Sequence, residues 1–258
     1  MKRAALTLAA LAAPLSAAAQ DTGELVRFVS CPIYRDTDAG RKSGCWLADD
    51  RESGRRYDVT NSPYKPDWNR AVLVEGRVSD APSDPCGSPV LDPVRTSTLM
   101  DQNCPRHMIP AEGFPGHPYS LPPRNIAPLS VERKAPEGPF SETTFHLFFE
   151  FDRSFLVYQY DDYLIDRAAT WIRAARPKRL VVTGFAAAQP ETVSGRTLAE
   201  RPDVARERAE AVALTLERLI PGIAIETRWE TESPPVDLPD ADTIPGQSQR
   251  RADIRAVF

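Results

Sequence analysis

The chain has 258 residues, with 32 Lys and Arg against 36 Asp and Glu, and a formal net charge of −4. This near balance leaves no polycationic face, which excludes nucleic acid and an anionic membrane surface as expected partners. The length fits two domains of ordinary size better than it fits one large core.

Residues 1–19 have the pattern of a cleaved secretory signal peptide. Lys2 and Arg3 form a basic start, an apolar run follows, and three alanines at residues 17–19 form a small-residue cleavage site. The apolar run is too short to span a bilayer, no later segment is long and apolar enough to do so, and no cysteine at the cleavage site offers a lipid anchor. The pattern predicts a soluble periplasmic protein.

Residues 20–104 are predicted to form a β-rich domain. Apolar residues alternate at residues 26–30, residues 45–59 have a hairpin signature, and residues 71–78 (AVLVEGRV) and 90–99 are further strands. Short strands joined by Asp, Pro, Gly and Ser turns are typical of a small barrel or sandwich.

All four cysteines lie in or at the end of this β-rich domain. An exported chain of this kind is expected to form disulfides, and four cysteines allow three connectivities. We expect neighbours to pair, Cys31 with Cys45 and Cys86 with Cys104. A metal site that uses Cys104 and His107 is the less favoured alternative, because exported thiols are usually oxidised.

A proline-rich linker is predicted at residues 105–138. Nine prolines fall within residues 105–140, and no hydrophobic period of a helix or strand is present there. Such composition favours an extended, semi-rigid segment.

Residues 139–258 show alternating strand and helix periods. Phe145, Leu147, Phe149 and Phe151 alternate as in a half-buried strand. Helices are predicted from residue 161 to Pro177 and from Pro202 to Pro221, and strands at residues 180–183, 223–229 and 252–258. This βαβαββ order predicts an α+β fold with both helices on one face of a mixed sheet.

Five segments in this half resemble motifs of the OmpA-like domain, a periplasmic module that binds peptidoglycan. They are F-x-F with a downstream leucine (Phe149, Phe151, Leu156), G-[HY]-T-D (residues 184–187), L-S-x-x-R-A-x-x-V (residues 204–212), G-E-x-x-P (residues 231–235) and R-R-V-E-I (residues 250–254). Their order and spacing identify residues 139–258 as a divergent member of that family.

The resemblance implies a site for the peptide stem of peptidoglycan. Arg208 takes the place of the family arginine that holds a stem carboxylate, a task suited to a planar guanidinium. Ala187 stands where the family has the aspartate that captures the diaminopimelate amino group, and Arg201 stands where it usually has an asparagine. Backbone N–H groups at residues 187–189 are expected to assist.

The loop at residues 186–201 is longer than is usual for the family. Glu191, Glu200 or Asp203 offers a replacement carboxylate there. Arg250 and Arg251 precede a strand that we interpret as an edge strand, where Arg251 is a further candidate contact for a carboxylate. The candidate binding residues are therefore Arg208, Ala187, Arg201, Asp203 and Arg251.

The sequence offers no recognisable catalytic constellation. No paired-carboxylate motif of a glycosidase and no G-x-S-x-G motif beside a histidine is present. We expect a non-enzymatic envelope protein without cofactor or metal, whose partners are peptidoglycan or envelope proteins. The alternative is an OmpA-like scaffold that has lost wall binding and acts as an interaction or assembly module.

Overall fold

The computed structural model describes residues 22–38, 44–80, 84–118, 134–156 and 161–258. The predicted signal peptide and the middle of the predicted linker, residues 119–133, lie outside these described residues. Below, residues 22–118 are called the N-terminal part and residues 134–258 the C-terminal part.

The N-terminal part consists of two separate β-sheets. A three-stranded sheet has the order β1 (Leu25–Ser30), β5 (Arg70–Val78) and β6 (Leu91–Asn103), and a four-stranded sheet has the order β4 (Arg55–Asp58), β3 (Cys45–Asp50), β2 (Pro32–Arg35) and β7 (His107–Ile109). Phe28, Val74 and Leu91 from the first sheet share one buried core with Trp46 and Tyr57 from the second. The described residues form no closed barrel, and the packing is sandwich-like.

Strand β7 falls inside the segment predicted as linker. It pairs in parallel with β2, and Tyr34 lies opposite Met108. Residues 107–109 therefore belong to the N-terminal sheet, because three residues between prolines are enough to extend an existing sheet.

The cysteines form disulfides, but the predicted pairing is wrong. Cys31 is joined to Cys104 across 73 residues, and Cys45 is joined to Cys86 across 41 residues. Loops of this length give about 4 kcal/mol each on the chain-entropy estimate, against about 3 kcal/mol for short neighbour loops. The metal alternative is also wrong for Cys104, because its sulfur is bonded to Cys31.

The C-terminal part is an α+β unit. Its mixed sheet has the order β12 (Ala224–Glu230), β9 (Arg179–Phe185), β13 (Arg251–Val257) and β8 (Thr143–Phe148), and its two long helices are α1 (Asp161–Ala175) and α2 (Asp203–Leu219). Additions to the predicted order are a hairpin of β10 (Glu191–Val193) and β11 (Arg196–Leu198), a 3-10 turn at Pro239–Ala241 and the short helix α3 (Pro245–Gln249). No helix in the described residues has the length and apolar composition to cross a bilayer.

The hydrophobic periods read from the sequence converge on one core. Leu180 and Ile254 from the sheet meet Ile172 of α1 and Val212 and Leu216 of α2 in the same buried cluster. One expectation is wrong: β13 lies between β9 and β8, so Arg250 precedes and Arg251 begins a central strand and not an edge strand.

Gly184, near the end of β9, allows the close approach of α2. A Cβ built on this residue would lie 2.9 Å from the backbone nitrogen of Ala209 and closer still to the backbone oxygen of Ala205. Backbone atoms inside a helix cannot rotate away as a side chain would, so the strand and helix would have to separate.

We therefore expect Gly184→Ala to lower the free energy of unfolding by about 1–3 kcal/mol, the usual range for overpacking. Urea denaturation followed by tryptophan fluorescence measures this. An unchanged midpoint would show that β9 and α2 are not in the contact described.

The N- and C-terminal parts share a third core. Val29, Leu73 and Leu99 pack with Val193 and Leu198 of the β10–β11 hairpin. Phe151 joins the same cluster, and its backbone N–H donates to the Oγ of Ser97 at 3.0 Å. Residues on the two sides of the predicted linker thus pack against each other, and the hairpin is held between them.

Candidate functional site

Arg208 projects from α2 into the protein and has 0% of its surface exposed. Its Nε donates to the carbonyl of Arg153 at 2.8 Å, and its Nη1 donates to the carbonyl of Phe185 at 2.7 Å and to Glu200 Oε2 at 3.0 Å. Its Nη2 donates to the carbonyl of Glu150 at 3.2 Å and to Glu200 Oε1 at 2.6 Å. A guanidinium has five N–H groups, so each has an acceptor within the described residues.

Glu200, at the end of the long loop, is the carboxylate partner of Arg208. Besides the bidentate pair with Arg208, Oε2 accepts from the N–H of Ala187 at 2.7 Å and Oε1 accepts from the N–H of Asp152 at 2.7 Å. Burial acts to raise the pKa of the Glu200 carboxyl, but the charge and hydrogen bonds of Arg208 hold it below its usual value. The carboxylate is therefore ionised and fully hydrogen-bonded at neutral pH.

The occupied carboxylate site explains the length of the loop. The sequence resemblance implies that Arg208 holds a carboxylate, and in this structure the carboxylate belongs to Glu200, one of the three acidic residues named from the sequence. The loop that carries Glu200 also contains the β10–β11 hairpin, which packs on the N-terminal part. The shared core thus restrains the loop that supplies the internal carboxylate.

Ala187 and Arg201 flank this ion pair. Ala187 is half-buried, and besides its N–H contact its carbonyl accepts from the backbone N–H of Glu200 at 3.1 Å. Arg201 is exposed and forms salt bridges with Asp152 at 3.1 Å and with Glu207 at 3.2 Å. Its position on the rim places it near the site without contact to the Glu200 carboxylate.

The remaining acidic residues named from the sequence lie away from Arg208. Asp203 is exposed in the first turn of α2. Glu191 on β10 forms a salt bridge with Arg27 of β1. The backbone N–H of Ala188, one of the groups expected to assist ligand binding, instead donates to the carbonyl of Thr231 at 3.3 Å.

Arg251, the first residue of β13, has a separate set of contacts near the end of β9. Its guanidinium carbon lies 3.9 Å from the centroid of the Phe185 ring, its Nε donates to Asp253 at 2.9 Å and its Nη1 donates to the carbonyl of Ser248 at 2.6 Å. The structure therefore brings Arg208, Ala187 and Glu200 together and gives Arg251 a set of partners of its own.

Sequence reasoning missed a second buried ion pair. Glu75 on β5 is almost fully buried and accepts from Arg250 and from the Nε of Arg27 at 2.9 Å. Burial acts to raise the pKa of the Glu75 carboxyl, and the charges of Arg250 and Arg27 overcome this and lower it. The available signal was a glutamate that directly follows four apolar residues in the strand AVLVEGRV, since a buried charge needs a partner.

The carboxyl group of Glu150 has a raised pKa, whereas those of Glu75 and Glu200 are lowered. Burial raises the pKa of its carboxyl to about 7, against the opposing charges of Arg153 and Arg250. Because the folded-state pKa is raised, the stability that protonated Glu150 contributes is complete below its unfolded pKa and is lost as pH rises through about 7.

We therefore expect the free energy of unfolding to fall between about pH 5 and pH 8 through Glu150, and Glu150→Gln to flatten that slope. Urea titrations at five pH values measure it, with Glu142→Gln as the control on an exposed glutamate. An equally steep slope in Glu150→Gln would contradict this assignment.

The described residues contain one group of metal-ligand atoms, formed by Cys45, Asp58 and Cys86. Both sulfurs are joined in a disulfide, so neither is available as the thiolate that binds metal ions.

Solved structures similar to this chain are OmpA-like or cell-wall-associated domains. They include the OmpA-like domain of FopA1 from Francisella tularensis subsp. tularensis SCHU S4 (18% identity, 45% of this chain, 71% of that chain, TM-score 0.34). Two more are the cell wall anchor of the T6SS from Pseudomonas aeruginosa (19%, 45%, 81%, 0.34) and the peptidoglycan-associated lipoprotein from Burkholderia pseudomallei (23%, 43%, 87%, 0.31). No family model and no curated protein matches the chain. In each of these cases the similarity covers somewhat less than half of this chain.

Proposed function

We propose that this chain is a non-enzymatic periplasmic envelope protein whose OmpA-like segment, residues 139–258, serves as an interaction or assembly module with its carboxylate site filled from within. The observation that carries the proposal is the Arg208–Glu200 pair, in which both side chains are fully buried. A peptide stem would have to displace a carboxylate that already satisfies Arg208.

Competition between the two carboxylates favours the internal one. A group tethered within the same chain has an effective concentration on the order of millimolar or more, and the loop that carries Glu200 is further held by the shared core. Expelling Glu200 would also strand the N–H groups of Ala187 and Asp152, which now donate to it. An external carboxylate must offset both costs.

Peptidoglycan binding is the second candidate function. It is supported by the order of the five motifs in the sequence and by the position of Arg208 at the third of them. In this alternative, movement of the loop withdraws the Glu200 carboxylate, and Arg208 then binds a carboxylate of the peptide stem.

Co-sedimentation with purified peptidoglycan sacculi separates the two candidates. We expect the wild type to stay in the supernatant, because Arg208 has no donor to offer. The double variant Glu200→Gln, Ala187→Asp is expected to raise the pelleted fraction. Its first substitution removes the internal carboxylate, and its second restores the family aspartate. Glu191→Gln is the matched control, since it alters another acidic residue of the same loop that pairs with Arg27.

The opposite result is equally informative. If the wild type pellets and a soluble peptide containing diaminopimelate releases it, the internal carboxylate does not close the site. The interaction-module proposal would then be replaced by the wall-binding one.

A further inference from the structure

Strand β12 is an open edge of the C-terminal sheet. Among the described strands it pairs only with β9, in parallel, along all seven of its residues. The carbonyl of Glu230 accepts from Ala186 at 3.1 Å, so the backbone of Glu230 faces β9. Because successive strand residues direct their backbone groups to opposite sides, Ile225, Thr227 and Trp229 direct theirs outward.

Most side chains along this edge are exposed, although Ile225 is half-buried against the C-terminal core, and the charge changes sign across Thr227. Glu226 and Arg228 have 42% and 55% of their side chains exposed and lie 2.6 Å apart. Trp229 is 51% exposed, which is unusual for a tryptophan within a strand. On either side of Thr227, Glu226 occupies the position that corresponds to Arg228, and Ile225 the position that corresponds to Trp229.

This mirror pattern is complementary to itself in one antiparallel register. With Thr227 opposite Thr227 of another copy, Glu226 lies opposite Arg228 and Ile225 lies opposite Trp229, twice each. A shift by two residues in either direction places Glu226 opposite Glu226, or Arg228 opposite Arg228. Opposite charges across a strand pair stabilise it and like charges destabilise it, so the pattern selects one register.

We propose that β12 pairs antiparallel with β12 of a second copy of this chain, about a two-fold axis that passes beside Thr227, so that the two four-stranded sheets join into one. The outward backbone groups of Ile225, Thr227 and Trp229 form the hydrogen-bonded pairs of that ladder. Such an interface is isologous, as a two-fold dimer requires. The contact is small, so we expect a reversible dimer with a dissociation constant in roughly the micromolar range. This inference does not depend on whether the carboxylate site is closed.

A single cysteine at the axis tests the register directly. In a hydrogen-bonded antiparallel pair the facing Cα atoms lie about 5.5 Å apart, within the range of a disulfide. The four native cysteines are already paired, so Thr227→Cys adds one free thiol. We expect mild oxidation of the full chain at about 50 µM, a concentration chosen to populate a dimer of that strength, to give a covalent dimer on a non-reducing gel.

Cysteines beside the axis serve as register controls. Glu226→Cys and Arg228→Cys should each cross-link poorly alone and should cross-link with each other when mixed, because residue 226 faces residue 228 of the other copy. If Glu226→Cys alone cross-links as readily as Thr227→Cys, the disulfides come from random collision and the register is wrong.

Charge exchange tests the recognition without cysteine. Arg228→Glu is expected to weaken self-association measured by sedimentation velocity by about tenfold, because it creates two like-charge pairs. The exchange Glu226→Arg with Arg228→Glu is expected to restore it. Thr227→Pro should block the ladder while the monomer still folds, since the N–H it removes faces outward. A wild type that stays monomeric up to about 1 mM, far above the expected dissociation constant, overturns the proposal.

Discussion

Glu200→Ala is expected to lower the free energy of unfolding by about 3–5 kcal/mol, the usual cost of removing one partner of a buried ion pair. Arg208 would keep its charge in a site with no exposed surface. The N–H groups of Ala187 and Asp152 would also lose their acceptor. Urea denaturation at pH 7.5, followed by tryptophan fluorescence, gives the difference.

Two variants make this result specific to the buried pair. Glu207→Ala removes a carboxylate that is 34% exposed and pairs with the exposed Arg201, and a solvent-accessible pair of that kind contributes only about 0–1 kcal/mol. Glu200→Met combined with Arg208→Met removes both charges and is expected to recover part of the loss, because apolar residues of similar size often replace a buried pair well. If Glu200→Ala costs no more than Glu207→Ala, the site is open to water.

Glu75→Ala is expected to cost a similar 3–5 kcal/mol and to act on the connection between the two parts of the chain. Glu75 lies on β5 of the N-terminal part, whereas Arg250 immediately precedes β13 of the C-terminal part. Its removal leaves Arg250 buried without a carboxylate in that ion pair. Calorimetry should therefore show one cooperative transition in the wild type and two in the variant, because the parts lose a bond on which their joint unfolding depends.

The control for Glu75 is an exposed ion pair in the same part. Asp49→Ala breaks the pair with Arg56, whose side chains are both more than a third exposed, and it should leave the single transition intact. A single, unshifted transition in Glu75→Ala would show that the apolar core and the remaining contacts, such as the Arg27–Glu191 salt bridge, hold the two parts together without Glu75.

Both ion pairs also set the response to acid. The pKa values of Glu75 and Glu200 are lowered in the folded protein. Their contribution to stability is therefore present above the ordinary carboxyl pKa and is lost as pH falls below it. This is opposite in sign to the effect of Glu150, so the combined contribution of these three carboxyl groups to stability is greatest at mildly acidic pH.

Strands and helices that have a clear local period of hydrophobic residues were predictable from the sequence. The strand around Phe145 and the apolar stripe of α2 follow from spacing alone, and both are in the core that the structure shows. The central position of β13 was not predictable, because strand order depends on pairing between segments far apart in the chain. The predicted disulfide pairing was wrong for the same reason, since Cys31 and Cys104 are brought together by the pairing of β1 and β6 with β5.

The proximity of Arg208 and Ala187 was predictable from the sequence, and the identity of the carboxylate that contacts both was not. Motif order placed Arg208 and Ala187 at one site, and loop length pointed to an acidic replacement among three residues. Only tertiary packing decides between those three, because the β10–β11 hairpin directs Glu191 toward Arg27 and leaves Glu200 at Arg208. Glu75 was missed because its partners are 48 and 175 residues away.

The four hydrogen bonds to Glu200 come from the turn after β8, the end of β9 and one side of α2. A free ligand in such a position would dissociate at a measurable rate, and its occupancy would follow its concentration. Glu200 is part of the chain, so under the proposed function its occupancy does not depend on the concentration of wall fragments. Under that proposal, the hydrogen bonds that would otherwise contribute to ligand affinity contribute to the free energy of unfolding.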